Sequence, residues 1–134
     1  MRFSFNSLVR ISSYCLQYQI KLGAKMKLET SAHSDALLIK VVEDRIDAAS
    51  CIQFKDSMQA ATANAPARVI LDMGRVKFLD SSGLGAVVAV MKACAPESQL
   101  ELASLTPIVA KVFRLTRMDE VFAIHPSAEL ALAP

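Results

Sequence analysis

Apolar and polar positions along this chain follow two different periods, and the places where one gives way to the other mark out the elements. Lys27 to Thr30 and Ala36 to Val42 read as strands joined by the polar turn His33-Ser34-Asp35, the pattern of an opening hairpin. Beyond Asp47 the spacing becomes helical. Cys51, Phe54, Met58 and Ala61 fall on one face, and Asp47 is placed as an N-cap whose carboxylate accepts from the free N–H groups of the next turn. This helix is predicted to end near Asn64, before Pro66. Arg68 to Leu71 then reads as a strand, followed by a polar loop and a helix starting near Ser81. That helix is apolar nearly all round from Leu84 to Cys94, as expected of one wedged against a sheet, and Gly83 and Gly85 would allow close backbone approach near its start. Gln99 to Ala103 supplies another strand. Thr106-Pro107 gives a cap with proline at the first helical position, and Ile108, Val112 and Leu115 mark the predicted buried face of a third helix. A final strand near Val121 to Ile124 and a short helix after Pro126 complete the order β-β-α-β-α-β-α-β-α. This is an α/β fold, a mixed and mostly parallel β-sheet with helices packed against it.

The chain has 134 residues, 53% of them hydrophobic, which suffices for one domain with a substantial core and is too short for two ordinary ones. Its longest apolar run, around Val87, is far shorter than the roughly 20 residues of a membrane-spanning helix, so no membrane insertion is expected. The net charge of +2 is small and the basic residues are scattered, which argues against direct nucleic-acid binding. Residues 1–25 stand apart. Arg2, Arg10, Lys21 and Lys25 supply four positive charges there, against a whole-chain total of +2, so the remainder carries −2. Polar residues interrupt the segment and no small-residue cleavage site follows, a poor fit to a secretory signal. It is expected to be an N-terminal extension without fixed order or a stretch preceding the native start at Met26, with the domain over residues 26–134. Cys15, Cys51 and Cys94 are odd in number and far apart, in apolar surroundings, which suits buried thiols in a reducing, cytoplasmic compartment better than disulfides or a metal site.

The candidate chemistry lies in Phe78-Leu79-Asp80-Ser81-Ser82-Gly83-Leu84-Gly85. Two hydroxyls stand where a strand hands over to a helix, and there the unpaired first-turn N–H groups and the positive end of the helix dipole favour an oxygen or a phosphate. Capping by Ser81 or Ser82 is the plainer use of the same position. Two roles are open to Asp80, orienting the loop or positioning an acceptor hydroxyl. Phe54, Met58 and Phe113 are expected in the core, Phe78 either in the core or on a contact surface, and Arg114 and Arg117 on a solvated face. Enzymatic readings fit poorly. Neither His33 nor His125 is tied to Ser81 as a base would be, and Gly83-Leu84-Gly85 lacks the lysine and spacing of a phosphate-binding loop. No metal or cofactor is expected.

Val69-Ile70-Leu71-Asp72 followed by the Phe78–Gly85 motif resembles the signature of STAS domains of the anti-sigma factor antagonist type, and Leu105-Thr106-Pro107 to Phe122 is similar to their closing part. The resemblance runs from about Lys27 to Leu132 and implies a STAS-like single domain. It further implies a bacterial phosphoprotein that acts by partner switching to regulate transcription. In that family the serine after the aspartate, here Ser81, is phosphorylated by a partner that is both a serine kinase and an anti-sigma factor. The unphosphorylated form sequesters that partner, and a serine phosphatase resets the switch. Asp47, in Asp44-Arg45-Ile46-Asp47, matches the family's other functional acid, and with Asp80, Ser82, Gly83 and Leu84 is the implied partner-binding set. Asp44 stands where the family usually has glycine, which bears on the loop conformation and the identity of the partner. Two other roles within the same resemblance are an accessory subunit of a membrane transporter and a non-catalytic scaffold in a signalling complex.

Overall fold

The computed structural model describes residues 27–133 apart from residue 34; the N-terminal extension, with Cys15, lies outside the described residues. Strand β1 (Leu28–Ala32) pairs antiparallel with β2 (Ala36–Val41), and the hairpin turn is closed by the His33 amide donating to the Ala36 carbonyl at 2.8 Å. Strands β4 (Arg68–Asp72), β6 (Gln99–Ala103) and β7 (Ile124–His125) add in parallel to give the order β1-β2-β4-β6-β7. Helix α1 (Cys51–Ala61) connects β2 to β4, α2 (Ser81–Cys94) connects β4 to β6, α3 (Pro107–Leu115) connects β6 to β7, and α4 (Ala128–Leu132) follows β7.

Period-two alternation sorts the sheet residues onto two faces. Ile39, Val41, Val69, Leu71, Leu100 and Leu102 join Phe54 and Met58 of α1, Val87 and Val90 of α2, and Val109 and Phe113 of α3 in the main core. Ala36, Ile70 and Ala103 face the other way and are covered by Ala128 and Ala131 of α4. Three helices therefore lie on one face and the short fourth on the other. On that second face Arg68 donates from Nε and Nη2 to both oxygens of buried Glu101 at 2.9 and 2.8 Å, and from Nη2 to the Ala131 carbonyl at 2.8 Å; His125 Nε2 lies 2.8 Å from Glu101. The hydrogen bonds from Arg68 above all, opposed by burial, hold the Glu101 carboxyl below the usual carboxylate range. Cys51 and Cys94 are free thiols, and burial pushes the Cys94 thiol up. Among the described residues no helix is long and apolar enough to cross a membrane.

Several local expectations are corrected. The buried side chains of α3 are Val109 and Phe113, while Ile108 is 61% and Leu115 71% exposed. The adjacent apolar pairs Ile108-Val109 and Val112-Phe113 give the helix two overlapping apolar faces, and the choice falls to the one that sets Phe113 edge-on to Phe122, with centroids 5.8 Å apart. Thr106 does precede Pro107 at the helix start, yet its hydroxyl donates to the Val76 carbonyl at 2.8 Å instead of capping. The last strand begins at Ile124, because Met118–Glu120 form a 3₁₀ turn and Phe122 packs into the core. Helix α1 starts at Cys51 and ends at Ala61, three residues before Asn64, with the Thr62 hydroxyl folding back to the Met58 carbonyl at 2.8 Å.

Candidate functional site

Two strands too short to show any periodicity build the site. β3 (Arg45–Ile46) and β5 (Phe78–Leu79) pair in parallel as a separate two-stranded sheet, Arg45 opposite Phe78 and Ile46 opposite Leu79. Burial of Ile46 and Leu79 drives the pairing, and their neighbours Arg45 and Phe78 are left on the surface. There the Arg45 guanidinium carbon stacks 5.1 Å from the centroid of the Phe78 ring. The next residue on each strand is an aspartate, so Asp47 and Asp80, 33 positions apart in sequence, follow two paired strand ends.

Asp47 closes a turn on itself. Its Oδ1 accepts from the Ala49 amide at 3.1 Å, the Ser50 amide at 3.2 Å and the Ser50 hydroxyl at 3.1 Å, while its own amide donates to Ser50 Oγ at 3.1 Å. The predicted acceptance by Asp47 is thus present, but it organises the turn ahead of α1. Ser50 occupies the N-cap position and makes no side-chain capping bond. Asp47 Oδ2 lies 3.4 Å from Arg45 Nη1.

Asp80, not a serine, caps α2. Its Oδ1 accepts from the Gly83 amide at 2.8 Å, and its Oδ2 accepts from the Ala48 amide at 3.2 Å. One carboxylate thereby holds both the helix start and the Asp47 turn, so of the two roles open to Asp80 the structure shows the orienting one. The capping role considered for Ser81 and Ser82 is corrected accordingly, because an aspartate one residue earlier already satisfies the third helical N–H. Both serines are exposed, on the first two positions of the helix. The Ser81 hydroxyl makes no hydrogen bond to another described residue.

Gly83 is buried beneath β3. A Cβ there would lie 2.1 Å from the Ile46 carbonyl oxygen, so glycine is what allows α2 to seat against β3. It offers no side chain to a partner. Gly85, by contrast, faces open space, with nothing within 4 Å of where a Cβ would stand, so the close approach anticipated for it is absent. Leu84 is half-buried and packs on the core. Asp44 takes the glycine position without strain: the described non-glycine residues with positive φ are Ser104 and Arg117, and the Asp44 carbonyl accepts from the Lys77 amide at 2.7 Å.

The Arg45–Phe78 pair and the β3–β5 ladder went unread in sequence; a signal was available in the branched aliphatic residue directly before each aspartate, Ile46 before Asp47 and Leu79 before Asp80. Both histidines are engaged elsewhere, His33 with the Ser31 hydroxyl at 3.1 Å and His125 with Glu101. Beside the site an open groove of about 450 Å³ is lined by Glu43, Asp44, Arg75 and Lys77 among others, a balanced set of charges that selects no ion. What the arrangement can do is present a hydroxyl on a rigid frame, next to one fixed carboxylate and at the positive end of a helix.

Comparison with known proteins bears on the family and the fold. The family model of the STAS domain matches residues 27–131. The chain is 31% identical over 109 residues to BtrV of Bordetella bronchiseptica, named as a proposed anti-sigma factor antagonist, across 81% of this chain and 93% of that protein. The crystal structure of an anti-sigma factor antagonist from Mycobacterium paratuberculosis superposes with a TM-score of 0.71 at 22% identity, over 81% of this chain and 92% of that one. The Bacillus cell fate determinant SpoIIAA in its phosphorylated form gives a TM-score of 0.58 at 21% identity, over 79% of this chain and 96% of that one. At such identities the solved structures speak to the fold.

Proposed function

The chain belongs to the STAS domain family, and from that premise we propose that it is an anti-sigma factor antagonist controlled by phosphorylation of Ser81. The unmodified form binds an anti-sigma factor serine kinase over the surface formed by Asp47, Asp80, Ser81, Ser82 and Leu84. Transfer of the γ-phosphoryl group of ATP to Ser81 Oγ, with ADP leaving, releases that partner, and a serine phosphatase restores the binding form. The protein itself is not a catalyst. The observation that carries this reading is an exposed Ser81 at the first position of α2, beside an Asp80 carboxylate already committed to the Gly83 and Ala48 amides.

The energetics suit a surface switch. A phosphate adds a charge of about −1.5 to −2 beside Asp80. Burying that charge under a docked partner without a cation costs several kcal/mol on an order-of-magnitude basis, whereas a tenfold loss of affinity needs only about 1.4 kcal/mol. Unfolding is not required. The test is incubation with the cognate kinase and ATP, site mapping by mass spectrometry, and calorimetric binding of the kinase to each form. Modification at Ser81 with at least a tenfold weaker complex is expected. Undiminished labelling of a Ser81→Ala variant, or equal affinity of both forms, would defeat the reading. Co-purification with a transporter in place of a kinase would assign the surface to the accessory-subunit role.

A further inference from the structure

Arg45 is a cation on the strand that pairs beside the Asp80-Ser81 helix start, and it is held loosely. Its guanidinium sits 3.4 Å from Asp47 Oδ2, long for a charge-assisted bond, which is typically about 2.7–2.9 Å. The Arg45 side chain is 60% exposed against 15% for Asp47, so the arginine end of the pair is open to solvent, which weakens it. The other contact, over the Phe78 ring at 5.1 Å, is also a surface one. Within the same molecule Arg68 shows what a committed arginine looks like, with two bonds of 2.9 and 2.8 Å to a buried carboxylate. Asp47, for its part, does not depend on Arg45, because its Oδ1 already receives three donors. When Arg45 leaves, Asp47 keeps the three donors to Oδ1, and Oδ2 gives up its pairing with the guanidinium.

The placement of Arg45 favours a new partner at Ser81. From β3 its side chain runs forward to the level of Asp47, where Asp80 Oδ2 takes the Ala48 amide, and Ser81 is the residue after Asp80. The interactions that meet there join Arg45 to Asp47, and Asp80, at the positive terminus of α2, to the Ala48 amide. A phosphate with three oxygens and nearly two charges competes well for a guanidinium fork against a single carboxylate oxygen.

We propose that Arg45 is the intramolecular counter-ion of phosphorylated Ser81, leaving Asp47 and the Phe78 ring to pair with the phosphate. This rests on Ser81 being the modified residue. Phosphorylation then alters three surface features together: a charge appears at Ser81, Phe78 loses its cationic cover, and Asp47 Oδ2 is freed. A partner that reads the unmodified face meets a rearranged one, with no change of backbone. Arg45 also shields the phosphate, so that a phosphatase must displace it.

The experiment installs phosphoserine at position 81 during synthesis of the full chain and follows its second ionisation by ³¹P NMR titration. Wild type, Arg45→Gln and Arg45→Lys are compared at low salt and at about 1 M salt. The phosphate in wild type is expected to titrate about half a pH unit below that in Arg45→Gln, with Arg45→Lys between them. High salt should erase the difference, since the Debye length there is about 3 Å. Identical titrations in wild type and Arg45→Gln, with unfolding midpoints unchanged, would overturn the assignment; Arg45→Lys carries the same comparison should the glutamine variant be unstable. Because the phosphate is built in, this outcome is independent of whether a kinase modifies Ser81, which the mapping experiment decides separately.

Discussion

Gly83 and Gly85 lie two residues apart in one helix, and the structure assigns opposite signs to the same substitution at each. A methyl group at Gly83 would stand 2.1 Å from the Ile46 carbonyl oxygen, over an ångström short of the ordinary contact distance of 3.4 Å, and 2.8 Å from Leu79 Cδ1. The leucine methyl can rotate aside. The carbonyl cannot, because it belongs to the β3 backbone, whose register with β5 is set by buried Ile46 and Leu79. Overpacking of this kind costs about 1–3 kcal/mol and sometimes more. The main-chain obstacle puts Gly83→Ala at or above the upper end, and the roughly 1 kcal/mol by which alanine favours a helix over glycine offsets part of it. A net destabilisation of about 2 kcal/mol or more is expected. At Gly85 nothing opposes the methyl group, so Gly85→Ala should stabilise by about 0.5–1 kcal/mol. Urea unfolding followed by circular dichroism measures both, an unchanged slope certifying that the difference lies in stability. In thermal unfolding, at roughly 4–8 °C per kcal/mol for a domain of this size, Gly83→Ala should melt ten degrees or more below Gly85→Ala. Gly83→Ala within about 0.5 kcal/mol of wild type, or shifts of the same sign in the two variants, would refute the claim that α2 seats on β3 by main-chain contact.

Two further outcomes follow from the packing and the buried charge. Glu101 has a folded pKa lowered by Arg68, so its ionised form contributes stability above the ordinary carboxyl value of 4.5, and that contribution is lost as pH falls through the lower folded value. Wild type should therefore lose stability on acidification below about pH 4.5 more steeply than Glu101→Gln in a series of denaturation curves, and parallel curves would exclude the effect. Phe113→Ala should cost about 3–5 kcal/mol, whereas Leu115→Ser, at a side chain 71% exposed, should stay within about 0.5 kcal/mol of wild type; comparable losses by chemical denaturation would mean that α3 buries the other face.

Much of the site was legible in the sequence. An apolar strand, a polar loop and an uninterrupted apolar helix bracket Asp80-Ser81-Ser82, and that succession places the hydroxyls at a helix start. Which of three polar residues caps the helix was not legible, since aspartate and serine serve nearly equally there. Asp80 prevails because its second oxygen also meets the Ala48 amide, 32 residues away in sequence. Likewise Asp44 carried no local sign that its loop would do without glycine.

Periodicity by itself determined the opening hairpin, the parallel strands and the helices between them, because alternation and 3.6-residue spacing are properties of single segments whose apolar faces must be covered. Only the tertiary structure decided the rest: the face α3 turns inward, the two-residue pairing of β3 with β5, the contact of Gly83 with Ile46, and the loose hold on Arg45. Each depends on two segments distant in sequence meeting at particular atoms. No pattern within either segment records where the other will lie.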